Sequence, residues 1–239
     1  MIYDRRAALA VRVTFFLFIL FGLLDCLGVF RGKPGGAMFM YYTIQSNVLA
    51  LALFGVLTVL TARALVRDGK RGKTGYLARF EMVCTIDLLL TLTAYWALLA
   101  PTLFKMNADY NQWSFANLSV HLFAPLFCLI DYILFAPNDS LKYRDVFFVL
   151  IFPFFYILFS AIAGLSGYVY AFDAVGVPSR APYFFIDWFA TGAMPLIYIL
   201  ALVVFFLIIS HILYLLDKRW QKPALCNSAP PPLGIEKPE

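Results

Sequence analysis

Residues 41–65 read YYTIQSNVLALALFGVLTVLTARAL. From Val48 to Leu65 every residue is apolar except Thr58, Thr61 and Arg63. At about 1.5 Å per residue, a helix of this length covers the ~30 Å hydrocarbon core of a bilayer. Its apolar residues fall on nearly all faces, unlike a half-buried strand or an amphipathic surface helix. The stretch reads as a membrane span, with a polar knot, Thr43-Ile44-Gln45-Ser46-Asn47, at its head.

Five further apolar blocks occupy about residues 8–30, 79–103, 115–136, 146–166 and 186–216. The chain therefore reads as an all-α polytopic membrane protein with six transmembrane helices. Composition agrees: of 239 residues 62% are hydrophobic and 14% charged, with mean hydropathy +0.80, against roughly a quarter charged in a soluble domain. Arg5-Arg6 before an apolar run resembles a secretory signal. That run is too long and holds Arg12 and Asp25, so it reads as a retained first span.

The net charge of +5 sits in short loops and implies no nucleic-acid partner. Residues 63–79 carry Arg63, Arg67, Lys70, Arg71, Lys73 and Arg79. Arg5, Arg6, Lys142, Arg144, Lys218, Arg219 and Lys222 fall on the same side of a six-span chain. The other side has Arg31, Lys33, Lys105 and Arg180. The positive-inside rule then puts both termini in the cytoplasm, of the inner membrane if the chain is bacterial. Tyr41, Tyr42, Tyr95, Trp96, Trp113, Tyr183 and Trp188 form an aromatic belt at the outer ends. Residues 1–222 read as the six-helix domain and 223–239 as a disordered Pro-rich cytoplasmic tail. Cys26, Cys84, Cys128 and Cys226 lie far apart, without zinc spacing, and read as packing residues.

Polar residues inside the spans carry the functional signal, because they are costly in lipid. An inner layer holds Arg12, Asp87, Asp131 and His211, about four to nine residues from the cytoplasmic ends. Arg12 can pair with Asp87 or Asp131, as a structural ion pair or as part of a proton or ion path. A carrier should continue such charges across the membrane, and the sequence shows a gap. An outer layer holds Asp25, Thr43, Gln45, Ser46, Asn47, Asn117, His121 and Asp187. Thr43 and His121 differ in depth by roughly 6–9 Å and can meet if their helices are neighbours. A histidine base activates a hydroxyl nucleophile. Asn117, one turn before His121, can orient the imidazole or bind an oxyanion, and Asn47 can serve the oxyanion too. Each has a bland alternative: threonine bonding its own helix, histidine and asparagine bonding across helices. Gln45 points elsewhere, and Ser46 is a competing hydroxyl about 60° away on an ideal helix.

Tyr42-Thr43 with Asn47, and Asn117-x-x-x-His121-x-x-x-Pro125, resemble the androgen-induced gene 1 family. That family includes the androgen-dependent regulator of tissue factor pathway inhibitor and a bacterial six-span branch. Tyr42-Thr43-Ile44-Gln45-Ser46-Asn47 is closest to the bacterial branch, and the resemblance covers about residues 8–216. It implies an intramembrane threonine hydrolase. Animal members cleave fatty acid esters of hydroxy fatty acids with one threonine and one histidine, which correspond to Thr43 and His121. The segment between Thr43 and Asn47 is more polar here than in the animal proteins, so the ester is left open.

The expectation is a lipid-ester hydrolase. Thr43 attacks, His121 is the base, Asn47 or Asn117 binds the oxyanion, and no metal or cofactor takes part. Phe115, Leu122 and Phe123 are expected to wall the acyl site near the non-cytoplasmic face. The alternative is a lipid-binding protein or transporter without chemistry, using Arg12, Asp87 and Asp131. A retinal protein wants a buried lysine, and the spans hold none. A metalloenzyme is disfavoured, since the two histidines lie on opposite sides of the membrane.

Overall fold

The computed structural model describes residues 2–106, 110–136, 140–172 and 177–219. Six of its helices are long and apolar enough to cross a membrane: α1 (Arg5–Cys26), α2 (Tyr42–Asp68), α3 (Ala78–Lys105), α4 (Phe115–Phe135), α5 (Tyr143–Leu165) and α6 (Pro195–Lys218). The protein is an all-α, membrane-embedded bundle. One short hairpin, Ala171–Phe172 with Pro178–Ser179, lies between α5 and α6. The Pro-rich tail at 223–239 and Cys226 lie outside the described residues.

Two boundaries differ from the sequence reading by more than three residues. Helix α1 stops at Cys26 because Gly28 turns the chain into the left-handed region at φ 76°, where glycine carries no steric penalty. Helix α6 starts at Pro195. The residues before it form a separate turn, Trp188–Thr191, capped by the Asp187 carboxylate and closed by Gly192 at φ 61°. Proline at the first helical position then restarts the chain.

Successive spans run antiparallel, so the start of α1 and the end of α6 share the end that carries most of the arginine and lysine. This basic end is tied together by the chain itself. Arg5 donates to the carbonyls of Gly69, Arg71 and Lys73, and the Ile2 amide to Leu134. Helix α3 is central, touching α2, α4, α5 and α6. Half of its most apolar window is buried, against 17% for α6. Helices α1, α2 and α4 enclose one core around Ile19, Phe54 and Ala124, and α3, α5 and α6 enclose another around Met82, Ile86 and Phe206. Gly22 of α1 lets α4 approach so closely that an added Cβ would fall on Ser119, the small-residue contact by which membrane helices pack.

Candidate functional site

Two prolines shape the end of the bundle opposite the basic end. Pro101 and Pro125 lack an N–H and crowd the carbonyl four residues earlier. Each follows a π turn, Tyr95–Leu99 in α3 and Ser119–Phe123 in α4. The Ala100 amide donates to the Tyr95 carbonyl and the Ala124 amide to that of Ser119, five residues back in each case. Such bulges re-aim side chains and recur at functional sites. Here they face each other, and Tyr95 stacks on His121 with ring centroids 3.7 Å apart.

Besides the Tyr95 ring on its face, His121 has one hydrogen-bond partner among the described residues. Its Nδ1 lies 3.1 Å from the Asn117 carbonyl oxygen, an acceptor only, so Nδ1 carries the proton and Nε2 is left with the lone pair of a base. The Asn117 side chain does not help: its Nδ2 donates to the Asn111 carbonyl at 2.8 Å. Orientation of the imidazole thus comes from the Asn117 backbone.

Helices α2 and α4 touch at this level through Asn47. Its Nδ2 donates to the carbonyls of Thr43 (2.8 Å) and Val120 (3.1 Å), so one amide joins the turn of the threonine to the residue next to the histidine. Asn47 Oδ1 is buried without a partner. Ser46 donates to the Thr43 carbonyl at 3.1 Å, and Gln45 turns away to the Phe39 carbonyl. No hydrogen bond joins the Thr43 hydroxyl to His121.

Thr43 opens instead onto a cavity of ≈ 220 Å³ between α2, α3, α5 and α6. Its walls are carbon, from Leu90, Leu99, Pro153, Phe154, Leu202 and Phe206 among others. The expected acyl wall of α4 is used elsewhere: Phe115 and Phe123 pack edge-on against Phe18 of α1. The volume falls below the ~300 Å³ of a typical drug-sized pocket, so it suits one hydrocarbon chain better than a bulky ligand. Helix α6 packs on the first half of α5 and little on the second, and Phe154, which lines the cavity, is 63% exposed. The cavity therefore opens sideways, toward lipid.

One end of this apolar cavity is polar. Thr43, Tyr42, Tyr156 and Tyr183 meet there. Burial pushes the Tyr183 phenol up to about 12, and the neighbouring Thr43 hydroxyl and backbone pull it back. Tyr183 is therefore a protonated donor at neutral pH, beside the threonine. The sequence reading had assigned it only to the aromatic belt.

The charged residues resolve into separate sites. Arg12 pairs with Asp131, Nε to Oδ1 at 2.9 Å and Nη2 to Oδ2 at 3.0 Å, and its Nη1 donates to Thr61 Oγ1 and the Thr74 carbonyl. Asp87 does not pair with Arg12. It accepts from the Tyr42 hydroxyl at 2.9 Å, because the long phenol side chain reaches down from the head of α2. Glu81, which the sequence analysis does not single out, is buried. One oxygen accepts from the Leu77 amide and the other has no partner. Asp25 is half-buried at the far end of α1, where its carbonyl accepts from Arg31. Asp187 caps its own turn, and His211 packs on Tyr143 at the basic end. Among the described residues no cluster of histidine, cysteine and carboxylate has metal-binding geometry.

Comparison with family models, with curated proteins and with solved structures finds no match.

Proposed function

We propose that the protein is an intramembrane hydrolase of lipid esters with Thr43 as nucleophile. The reading rests on one observation: Thr43, whose side chain bonds with the Tyr183 phenol, lines a largely apolar, chain-sized cavity open to the bilayer. An acyl chain entering between α5 and α6 would bring its ester carbonyl to Thr43. Thr43 Oγ1 attacks the carbonyl carbon and its proton passes to His121 Nε2. The ester C–O bond then breaks, and the leaving alcohol takes the proton back. Water attacks the acyl-threonine and releases a fatty acid. Because Thr43 and His121 share no hydrogen bond, the proton crosses through a water or after a rotamer change, since catalytic hydrogen bonds often tighten only with substrate bound. Tyr183 replaces Asn47 as oxyanion donor, since both N–H bonds of the Asn47 amide are taken by the Thr43 and Val120 carbonyls, and the Asn117 amide, with one N–H on the Asn111 carbonyl, keeps a second to offer. Asn47 Oδ1 is free to orient the hydrolytic water. The resemblance to the androgen-induced gene 1 family supports the same two residues, with fatty acid esters of hydroxy fatty acids as the first esters to try. On the positive-inside rule the basic end faces the cytoplasm, and the site lies near the opposite face.

A lipid-binding or transport protein without chemistry is the second reading. It is favoured by the missing Thr43–His121 bond and by the incompletely partnered buried carboxylates of Glu81 and Asp87. Purified protein separates the two. Thr43→Ala and His121→Ala should each lower ester cleavage by about 10²-fold or more and abolish fluorophosphonate labelling, while co-purifying lipid is retained. Cleavage that survives both changes rejects the enzyme. Proteoliposome flux dependent on Asp87, without hydrolysis by the wild type, establishes the transporter.

A further inference from the structure

A second and larger cavity, ≈ 630 Å³, lies at the basic end between α2, α3 and α5. It shares none of the residues of the Thr43 site. Its wall is carbon: Leu49 of α2, Phe80 and Val83 of α3, Phe148, Phe152 and Phe155 of α5. Its rim is polar, formed by Lys73, Tyr76, Arg79 and Asp145. We infer that this groove holds an anionic glycerophospholipid of the leaflet on the basic side, with its phosphate on Lys73 and Arg79 and an acyl chain along the phenylalanine wall.

Three observations carry the inference. The rim lies in and just after the α2–α3 loop, at the depth where headgroups sit, and the wall runs from there into the hydrocarbon region. The open side faces lipid: Phe155 is 60% exposed and Phe80 41%, so an aqueous partner would meet hydrocarbon. Among the described residues the rim also carries one positive charge without an ion-pair partner. Arg79 is held by Asp145 (Nη2–Oδ1 2.8 Å) and lies over the Phe148 ring, which positions the guanidinium at the mouth while Asp145 cancels its charge. Lys73 has no ion-pair partner among the described residues; only its carbonyl is used, by Arg5 and Tyr76. Basic pockets between membrane helices select anionic headgroups in this way.

Delipidated protein in neutral detergent should be titrated with phosphatidylglycerol and with phosphatidylcholine of the same chains, and bound lipid counted by native mass spectrometry. The wild type should prefer phosphatidylglycerol. Lys73→Gln should weaken that lipid about fivefold, the factor one basic residue contributes near an anionic surface, and Lys73→Arg should restore it. Val83→Trp, which fills the wall, should lower occupancy by both lipids. Arg6→Gln, an exposed charge at the same end but outside the groove, should change nothing. Equal binding of the two lipids by the wild type, a loss in Arg6→Gln as large as in Lys73→Gln, or full occupancy in Val83→Trp would each overturn the assignment. None of these readouts depends on hydrolysis at Thr43.

Discussion

Replacing Arg12 with methionine removes a guanidinium that has no exposed surface. Asp131, itself buried, then keeps a carboxylate with no cation. Breaking a buried pair from one side costs about 3–5 kcal/mol. The same cost applies to Asp131→Leu, which strands the arginine. The double variant behaves differently, because an apolar replacement of a buried pair is commonly neutral or about 1–4 kcal/mol stabilising. Against that gain stands the Thr74 carbonyl, which loses the Arg12 donor at 2.7 Å and costs about 1–3 kcal/mol. Thr61 costs little, since it still donates to the Leu57 carbonyl. The double variant should thus lie within about 3 kcal/mol of the wild type or above it, and the coupling between the two positions should be about 3 kcal/mol or more. Equilibrium unfolding in mixed micelles, followed by circular dichroism, measures all four proteins. On melting, the single variants should fall by roughly 6–20 °C. A double variant as unstable as the two singles summed, or singles within about 1 kcal/mol of wild type, would refute the paired arrangement.

Tyr183→Phe should lower kcat on an ester substrate about 10²-fold, the usual loss for one oxyanion donor, with KM little changed and Thr43 still labelled. An equal loss of bound lipid and of kcat would mean that the phenol only packs. Because burial holds that phenol protonated up to about 12, the wild-type rate should show no decline from loss of this donor between about pH 7 and 10, as a pH–rate profile will record. Gly22→Leu should force α1 away from Ser119 and destabilise the bundle by about 1–3 kcal/mol, measurable by the same unfolding assay. Retained stability would mean that α1 and α4 do not approach as closely as the structure has them.

Part of the site was legible in the residues and part was not. Thr43 and His121 stood out because polar groups in apolar runs are conspicuous, and Asn47 earned notice for the same reason. Its actual bond, one amide bridging Thr43 and Val120, depends on which helices are neighbours. The π turns had a sequence cue in Pro101 and Pro125, each following its bulge by a turn or less, though the stacking of Tyr95 on His121 did not. Tyr183 and Glu81 were hidden by their positions. A tyrosine beside a span reads as an interface anchor, and a glutamate near a basic loop reads as solvated.

From the chain alone came the six crossings and their alternating direction. A segment in lipid must satisfy every backbone group within itself, so a long apolar helix is the only solution for each block. The same pattern could not say which helices touch, because residues apolar on every face point to no neighbour. Lateral packing was left to side-chain fit, to the Gly22 contact and to the choice of Asp131 over Asp87 by Arg12. Those tertiary choices put Thr43 at the end of a lipid-facing cavity and Tyr183 beside it, and they placed the cavity against α5 and α6 instead of the phenylalanines of α4.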